Sequence, residues 1–273
     1  MHICDLHTHS TASDGQYTPT QLVQMAVAQN LDALAITDHD TIDGLSEAIQ
    51  AGEKFGLRVI PGIELSAKEY STFHILGYNF SINSPTMEDF CQKMRRCRSG
   101  RNERLLLFLR SKGVKLSLSA VEKQAKGTIL GRPHFAQAMV CRGYVSTIRE
   151  AFDRYLDTVE YHEEVERGNP SVQECIQAIK ASDGKVSLAH PYQIGISNSE
   201  LEKLVINLST FGLDAIECYY SSYSSEQQAF YLHLAKKYRL NCSGGSDFHG
   251  EKVKPGIMMA ALNLNLDWLS AFD

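Results

Sequence analysis

Short apolar runs in this sequence end repeatedly in histidine or an acid, and that recurrence constrains the fold more than any single motif does. Ile3 to Leu6 leads into His7-Thr8-His9 and then Asp14. Ala33 to Thr37 leads into Asp38-His39, Arg58 to Pro61 into Glu64, Val186 to Ala189 into His190, and Asn241 to Ser243 into Asp247-Phe248-His249. His74 lies within another such run, Phe73 to Asn79, and Asp214 to Tyr219 is a further one. Runs this short suit buried strands. Strand ends leave the packed interior, where side chains from separate strands can converge on one cavity.

Longer periodic segments alternate with several of these runs, which is an α/β rhythm. Thr18-Pro19-Thr20-Gln21 reads as a capping box opening a helix whose apolar face carries Leu22, Val23, Ala26 and Val27. Further helices are expected from Ile42 to Phe55 before Gly56, Val172 to Ser182 before Gly184, Leu201 to Phe211, and Glu226 to Tyr238. The rhythm breaks between Ser81 and Asn169. There a long charged helix from Met87 to Arg110 precedes shorter candidates at Ser119 to Lys126, Pro133 to Arg142 and Ile148 to Leu156. The expected organisation is an α/β body in two parts, 1–80 and 170–273, with a mainly helical insertion at 81–169.

With 43% hydrophobic residues in 273 the chain can bury a sizeable core, and its formal charge of -5 excludes nucleic-acid wrapping by the overall field. No stretch reaches the roughly 20 apolar residues needed to cross a bilayer, and the start MHICDLHTHS lacks a signal-peptide core. A cytoplasmic location, with no membrane and no obligate protein partner, is the expectation. The 7 cysteines form no CxxC pair, so neither a disulfide framework nor a zinc knuckle is indicated. GxSxG, the P-loop pattern and GxGxxG are all absent, and Gly244-Gly245-Ser246 reads as a tight strand-to-loop turn.

His7 and His9 are two residues apart, so on an extended segment both point to the same side, as two ligands of one ion require. Imidazole nitrogen mixed with carboxylate oxygen suits manganese, iron or zinc, and carboxylates can bridge two ions. A cysteine-free ligand set argues against a closed structural zinc site. Taken singly, His74 reads as a strand histidine and His162 or His233 as a surface one; the HxH and DxH pairs together favour a metal site.

The motifs DLHTHSTASDG at 5–15, ITDHDT at 36–41, PGIE at 61–64, HILGY at 74–78, GRPH at 131–134, LAHP at 188–191 and GGSDFHG at 244–250 resemble those of the PHP family, named for polymerase and histidinol phosphatase. The resemblance extends over nearly the whole chain. It implies a distorted (β/α)7 TIM-like barrel with two or three divalent metal ions, Mn, Fe or Zn, at the strand ends. Carried over by motif, His7, His9, Glu64 and Asp247 resemble the ligands of one ion. Glu64 bridges to a second held by His74 and His190, and Asp14, His39 and His249 hold a third. Many relatives have histidine at the place of Asp14, so an acid there keeps an oxygen ligand while altering metal preference. Asp38 resembles a residue that orients a histidine, with direct participation in catalysis as the other reading.

Within the family, SDG after HTHS, GRPH and the helical insertion resemble the subgroup acting on nucleoside 3',5'-bisphosphates and on the 5' ends of short RNA. One departure stands out: after FDRYL the chain reads DTVEYHEEVERGNP where relatives carry a glycine-rich segment. Arg98 and Arg101, three apart on a helical face, together with Arg132 and His134, are the expected phosphate-binding residues. His134 and Asp38 are the candidates for catalysis. The implied activity is hydrolysis of a small phosphorylated substrate, a nucleoside bisphosphate or a short RNA end. The rival readings are a histidinol-phosphate-type phosphatase and a noncatalytic PHP module.

Overall fold

The structure is a computed structural model that describes residues 1–70, 72–127, 129–165 and 168–269. The chain opens with β1 (His2–Asp5), α1 (Pro19–Ala28), β2 (Ala33–Ile36), α2 (Leu45–Phe55), β3 (Arg58–Ser66) and β4 (His74–Tyr78). Helices α3 (Pro85–Ser111), α4 (Leu118–Glu122), α5 (Arg132–Cys141), α6 (Ile148–Ala151) and α7 (Val159–Glu164) follow. The chain then runs through α8 (Val172–Lys180), β5 (Lys185–Leu188), α9 (Asn198–Phe211), β6 (Ala215–Tyr220), α10 (Ser225–Lys237), β7 (Asn241–Gly245) and β8 (Leu262–Leu264).

The sheet order is β7-β6-β5-β4-β3-β2-β1-β8, so the first seven strands are neighbours in chain order. Beyond the ladder, the Leu6 amide donates to the Gly244 carbonyl at 3.1 Å and the His9 amide to the Phe248 carbonyl at 2.9 Å. These bonds bring the end of β7 back to the end of β1 and nearly close a barrel, as expected for a distorted PHP-type α/β fold. The distortion comes largely from β4, which runs antiparallel to both β3 and β5. Strand β8, absent from the sequence reading, pairs antiparallel with β1.

Alternation along a strand sends successive side chains to opposite faces. Leu34 and Ile36 of β2 join the core under the helices, with Leu22, Ala26 and Ala48, whereas Ala33 and Ala35 join the enclosed cluster of Cys4, Leu6, Ile60 and Tyr78. The expected capping box of α1 forms: Thr18 Oγ1 accepts from the Gln21 amide at 3.2 Å, and Gln21 Oε1 accepts from the Thr18 amide at 2.9 Å. Gly244 and Gly245 lie inside β7 rather than in the expected turn. A Cβ on Gly245 would stand 2.3 Å from His7 Cβ, so the glycine is there for close approach of two backbones.

The helical segment has a core of its own, in which Phe135, Tyr161, Leu105 and Leu109 are buried together. Two elements depart from the expected ones. The stretch Phe152–Leu156 is π-helical rather than a continuation of α6, and α7 occupies the unusual 157–169 segment because the Thr158 side chain caps it and Tyr161 buries completely. Phe135→Ala should destabilise the protein by about 3–5 kcal/mol, seen as a lower denaturant midpoint. An unchanged midpoint would contradict a separate, well-packed insertion core.

Candidate metal centre

The reversed direction of β4 explains why His74 reaches the same rim as residues that follow the other strands. His74 opens β4 opposite Ser66 near the end of β3, so its strand start coincides with its neighbours' strand ends. Glu64 sits inside β3, which runs two residues past the PGIE motif because β4 pairs along it. Rim hydrogen bonds fix the rest: the Asp247 amide donates to the His7 carbonyl at 2.8 Å, the Thr37 amide to Thr8 at 2.8 Å, and the Asp40 amide to Glu64 at 2.9 Å. Asp247 and His190 take positive φ values of 57° and 22°. Such backbone costs on the order of 1–3 kcal/mol per residue and persists where the surroundings dictate it.

The expected ligands converge. His7 Nε2 lies 3.3 Å from Glu64 Oε2 and 3.7 Å from Asp247 Oδ1, and His9 Nε2 lies 3.1 and 3.3 Å from the same two oxygens. A tetrahedron of donors about 2.0–2.1 Å from a central ion has edges of about 3.3–3.4 Å, so these four atoms have the spacing of one coordination shell. Glu64 Oε1 faces His74 Nδ1 and His190 Nε2, each at 2.8 Å. A third group joins His9, Asp14, His39 and His249, with Asp14 Oδ1 3.4 Å from His249 Nε2. His39 also belongs with Glu64 and His74, its Nδ1 3.1 Å from Glu64 Oε2, and so stands between two groups rather than in one.

Buried polar atoms normally find partners. Here His7 Nε2, both nitrogens of His9, Asp14 Oδ1, His39 Nδ1 and Glu64 Oε2 are buried without a hydrogen-bond partner. These are donor atoms that face one another across the groups above, and their chemistry fits two or three divalent ions. Burial would raise the carboxyl of Glu64, but the imidazoles of His39, His74 and His7 hold it well below the usual carboxylate range. Asp247 is likewise held low against burial, by Lys254, His7 and His249. Burial pushes His39 and His190 down, toward the neutral form that a metal requires.

Several residues that the motif reading did not assign hold the ligands in place. Glu217, buried in β6, accepts from the His190 amide at 2.7 Å and pairs with His7 Nδ1 at 3.0 Å, leaving His7 Nε2 to face the cluster. A buried acid inside the apolar run AIECYY was the available signal. Asp247 turns Oδ1 to the histidines while Oδ2 accepts from Tyr220 at 2.5 Å and from Lys254 at 2.5 Å. Asp5 ties β1 to β7 by accepting from the Ser246 amide at 2.9 Å. Asp38 spends its oxygens on the Ser10 amide, Ser10 Oγ and Ser13 Oγ, at 2.6–2.7 Å, so it anchors the loop after His9 rather than hydrogen-bonding a histidine.

A cavity of about 260 Å³ opens onto the ligands and is lined also by Arg98, Arg101, Arg132, Phe152, Asn169 and Gln193. Arg98 is largely buried and pairs with Asp40, Nε to Oδ2 at 2.6 Å. Arg101 donates to the Leu130 carbonyl at 2.8 Å, and Arg132 sits 3.1 Å from Asp157 with its guanidinium over Phe152 and Tyr161. His134 Nδ1 accepts from the Gly131 amide at 2.9 Å, closing the start of α5, and His134 lines a neighbouring cavity.

The family model of the PHP domain matches residues 5–166. The chain belongs to the PHP family. A 5'-3' exoribonuclease of Haemophilus influenzae is 34% identical over 90% of this PHP chain and 89% of its own. At 30% identity, a phosphoribosyl 1,2-cyclic phosphate 1,2-diphosphodiesterase of Eggerthella lenta matches 90% of this chain and 94% of its own, and a 3',5'-nucleoside bisphosphate phosphatase of Chromobacterium violaceum matches 90% and 86%. A solved chain from Bifidobacterium adolescentis superposes with a TM-score of 0.84 and 30% identity, covering 97% of this chain and 93% of that one.

Two outcomes follow for the PHP centre. Glu217→Gln should weaken divalent-metal affinity about 10–100-fold, measured by titration of metal-depleted protein; unchanged affinity would contradict its role behind His7. Burial lowers His9, but Asp247 and Glu64 outweigh it and raise its pKa to about 9 in the metal-free protein. Metal must displace that proton, so affinity should rise as pH climbs toward 9, with proton release visible by calorimetry in buffers of different ionisation heat. The stability that protonated His9 gives the metal-free protein should be complete below pH 6.5 and fade as pH rises through about 9.

Proposed function

We propose that this PHP protein hydrolyses a phosphate ester on a ribose that bears a second phosphate, with nucleoside 3',5'-bisphosphates as preferred substrates and the 5' ends of short RNA as longer ones. The observation that carries this reading is one cavity lined both by the metal-ligand set and by Arg98, Arg101 and Arg132. Guanidinium forks match phosphate oxygens. A second phosphate gives them work that a monoester leaves undone. The substrates in the names of the three relatives share this chemistry, a ribose with more than one phosphate group in reach.

His7, His9, Glu64, Asp247, His74, His190, Asp14, His39 and His249 are the residues that would hold divalent ions. Bound ions supply Lewis acidity toward phosphoryl oxygens and acidify water to a usable nucleophile near neutral pH. The chain's own residues do the positioning. Asp40 and Ser66 keep Arg98 aimed at the cavity wall, with the Asp40 carboxylate also accepting from the Ser66 amide at 2.8 Å. Arg101 and Arg132 bind the non-reacting phosphate and so set the scissile ester over the ligand cluster. Phe152 and Asn169, at the same wall, face the remainder of the nucleoside. Phosphoryl transfer needs little else than such placement and charge compensation.

Phosphate release should be at least tenfold more efficient, as kcat/KM, with adenosine 3',5'-bisphosphate than with histidinol phosphate. Equal or reversed efficiencies overturn the reading, and a preference for phosphoribosyl 1,2-cyclic phosphate overturns its nucleoside part alone. Arg101→Ala should raise KM for the bisphosphate about tenfold or more, with metal content unchanged. A loss of metal in that variant would show that Arg101 supports the centre instead.

A further inference from the structure

The metal centre has a second cavity behind it. Asp14, Pro133 and Val253 line both the cavity with the arginines and a separate one of about 320 Å³. The second is walled by the loop after His9, the loop after His249 and the face of α5 that carries His134 and Gln137. Its volume falls in the range of small-ligand clefts, about 300–1,000 Å³. Within it lie Lys126, Lys252 and the amide side chains of Gln21, Gln124 and Gln137, a lining that offers positive charge and hydrogen-bond donors and acceptors without a further carboxylate beyond Asp14. The two loops are locked to each other: the Gln16 amide donates to the His249 carbonyl at 2.8 Å, and the Lys252 amide to Gln16 Oε1 at 2.9 Å. Gly250, at φ 91°, allows that approach, since a Cβ there would stand 2.5 Å from Gln16 Cβ.

A monoester needs one cavity beside the ligands; a phosphodiester inside a chain needs two, because nucleotides continue on both sides of the phosphorus. We propose that the Lys126/Lys252 cavity receives the nucleotide on the 3' side of the scissile phosphate when a 5'-phosphorylated oligoribonucleotide binds. The 5' nucleotide then occupies the arginine-lined cavity, and the scissile phosphate sits between them at Asp14. Lys126 and Lys252 meet the next backbone phosphate, a contact that adds salt-dependent affinity, and the glutamine amides meet the base or sugar. This inference rests on the substrate class proposed above.

The test compares adenosine 3',5'-bisphosphate with the 5'-phosphorylated adenylyl dinucleotide that also carries a 3'-terminal phosphate, so that a phosphate follows the nucleotide on the 3' side of the scissile bond. Turnover is measured on metal-loaded enzyme, and binding of the dinucleotide on metal-depleted protein. The double variant Lys126→Ala/Lys252→Ala should weaken dinucleotide binding and raise its KM about tenfold, flatten the salt dependence, and leave turnover of the bisphosphate unchanged. Lys126→Arg/Lys252→Arg should restore the dinucleotide. Unaltered dinucleotide binding, or an equal loss with both substrates, overturns the assignment. Wild-type enzyme that turns over the bisphosphate but neither binds nor cleaves the dinucleotide also overturns it, while leaving the proposed function standing. Lysine-dependent dinucleotide binding without bisphosphate turnover supports the cavity and sinks the proposed function.

Discussion

A single buried carboxylate organises the rim of this barrel. Glu64 has its Oε2 within 3.3 Å of His7, His9 and His39 and its Oε1 within 2.8 Å of His74 and His190. An ionised carboxylate without water is among the most costly groups a fold can hold, and the surrounding imidazoles offset it only in part. Asp247 and Asp14 add to the same burden a few ångströms away. Divalent cations held by these residues would relieve all three carboxylates at once, and the positive-φ backbone at His190 and Asp247 lies where their side chains turn toward that point.

The convergence of the candidate ligands was legible because its signal is local and repeated. Parity along an extended strand places His7 and His9 on one side, and apolar runs ending in an acid or histidine mark strand ends whatever the order of the strands. Less was legible where the cause is tertiary. Nothing local in HILGY announces that β4 runs backwards, yet that reversal is what brings His74 to the rim. Likewise β8 is three residues long and is defined by its partner β1. The paired glycines before Ser246 resemble a turn in the sequence, but they serve the close approach of β7 to β1.

Residues that support the ligands were the hardest to read. Glu217, Lys254 and Tyr220 carry no motif spacing relative to the histidines they steady, because their contacts cross between strands far apart in sequence. A histidine in a recognisable motif, His134, invites a chemical role, and the structure gives its Nδ1 to the start of a helix. Asp38 similarly works through Ser10 and Ser13.

Helix α3 delivers Arg98 and Arg101 to the cavity and buries Arg98 against Asp40, so a charge of the helical segment is locked to the loop after β2. The most direct test of the account is anomalous scattering from a crystal soaked in manganese. Peaks are expected in the space enclosed by His7, His9, Glu64 and Asp247 and beside the Glu64, His74 and His190 donors. Clear density for those side chains with no peak between them, or manganese bound only elsewhere, would contradict it.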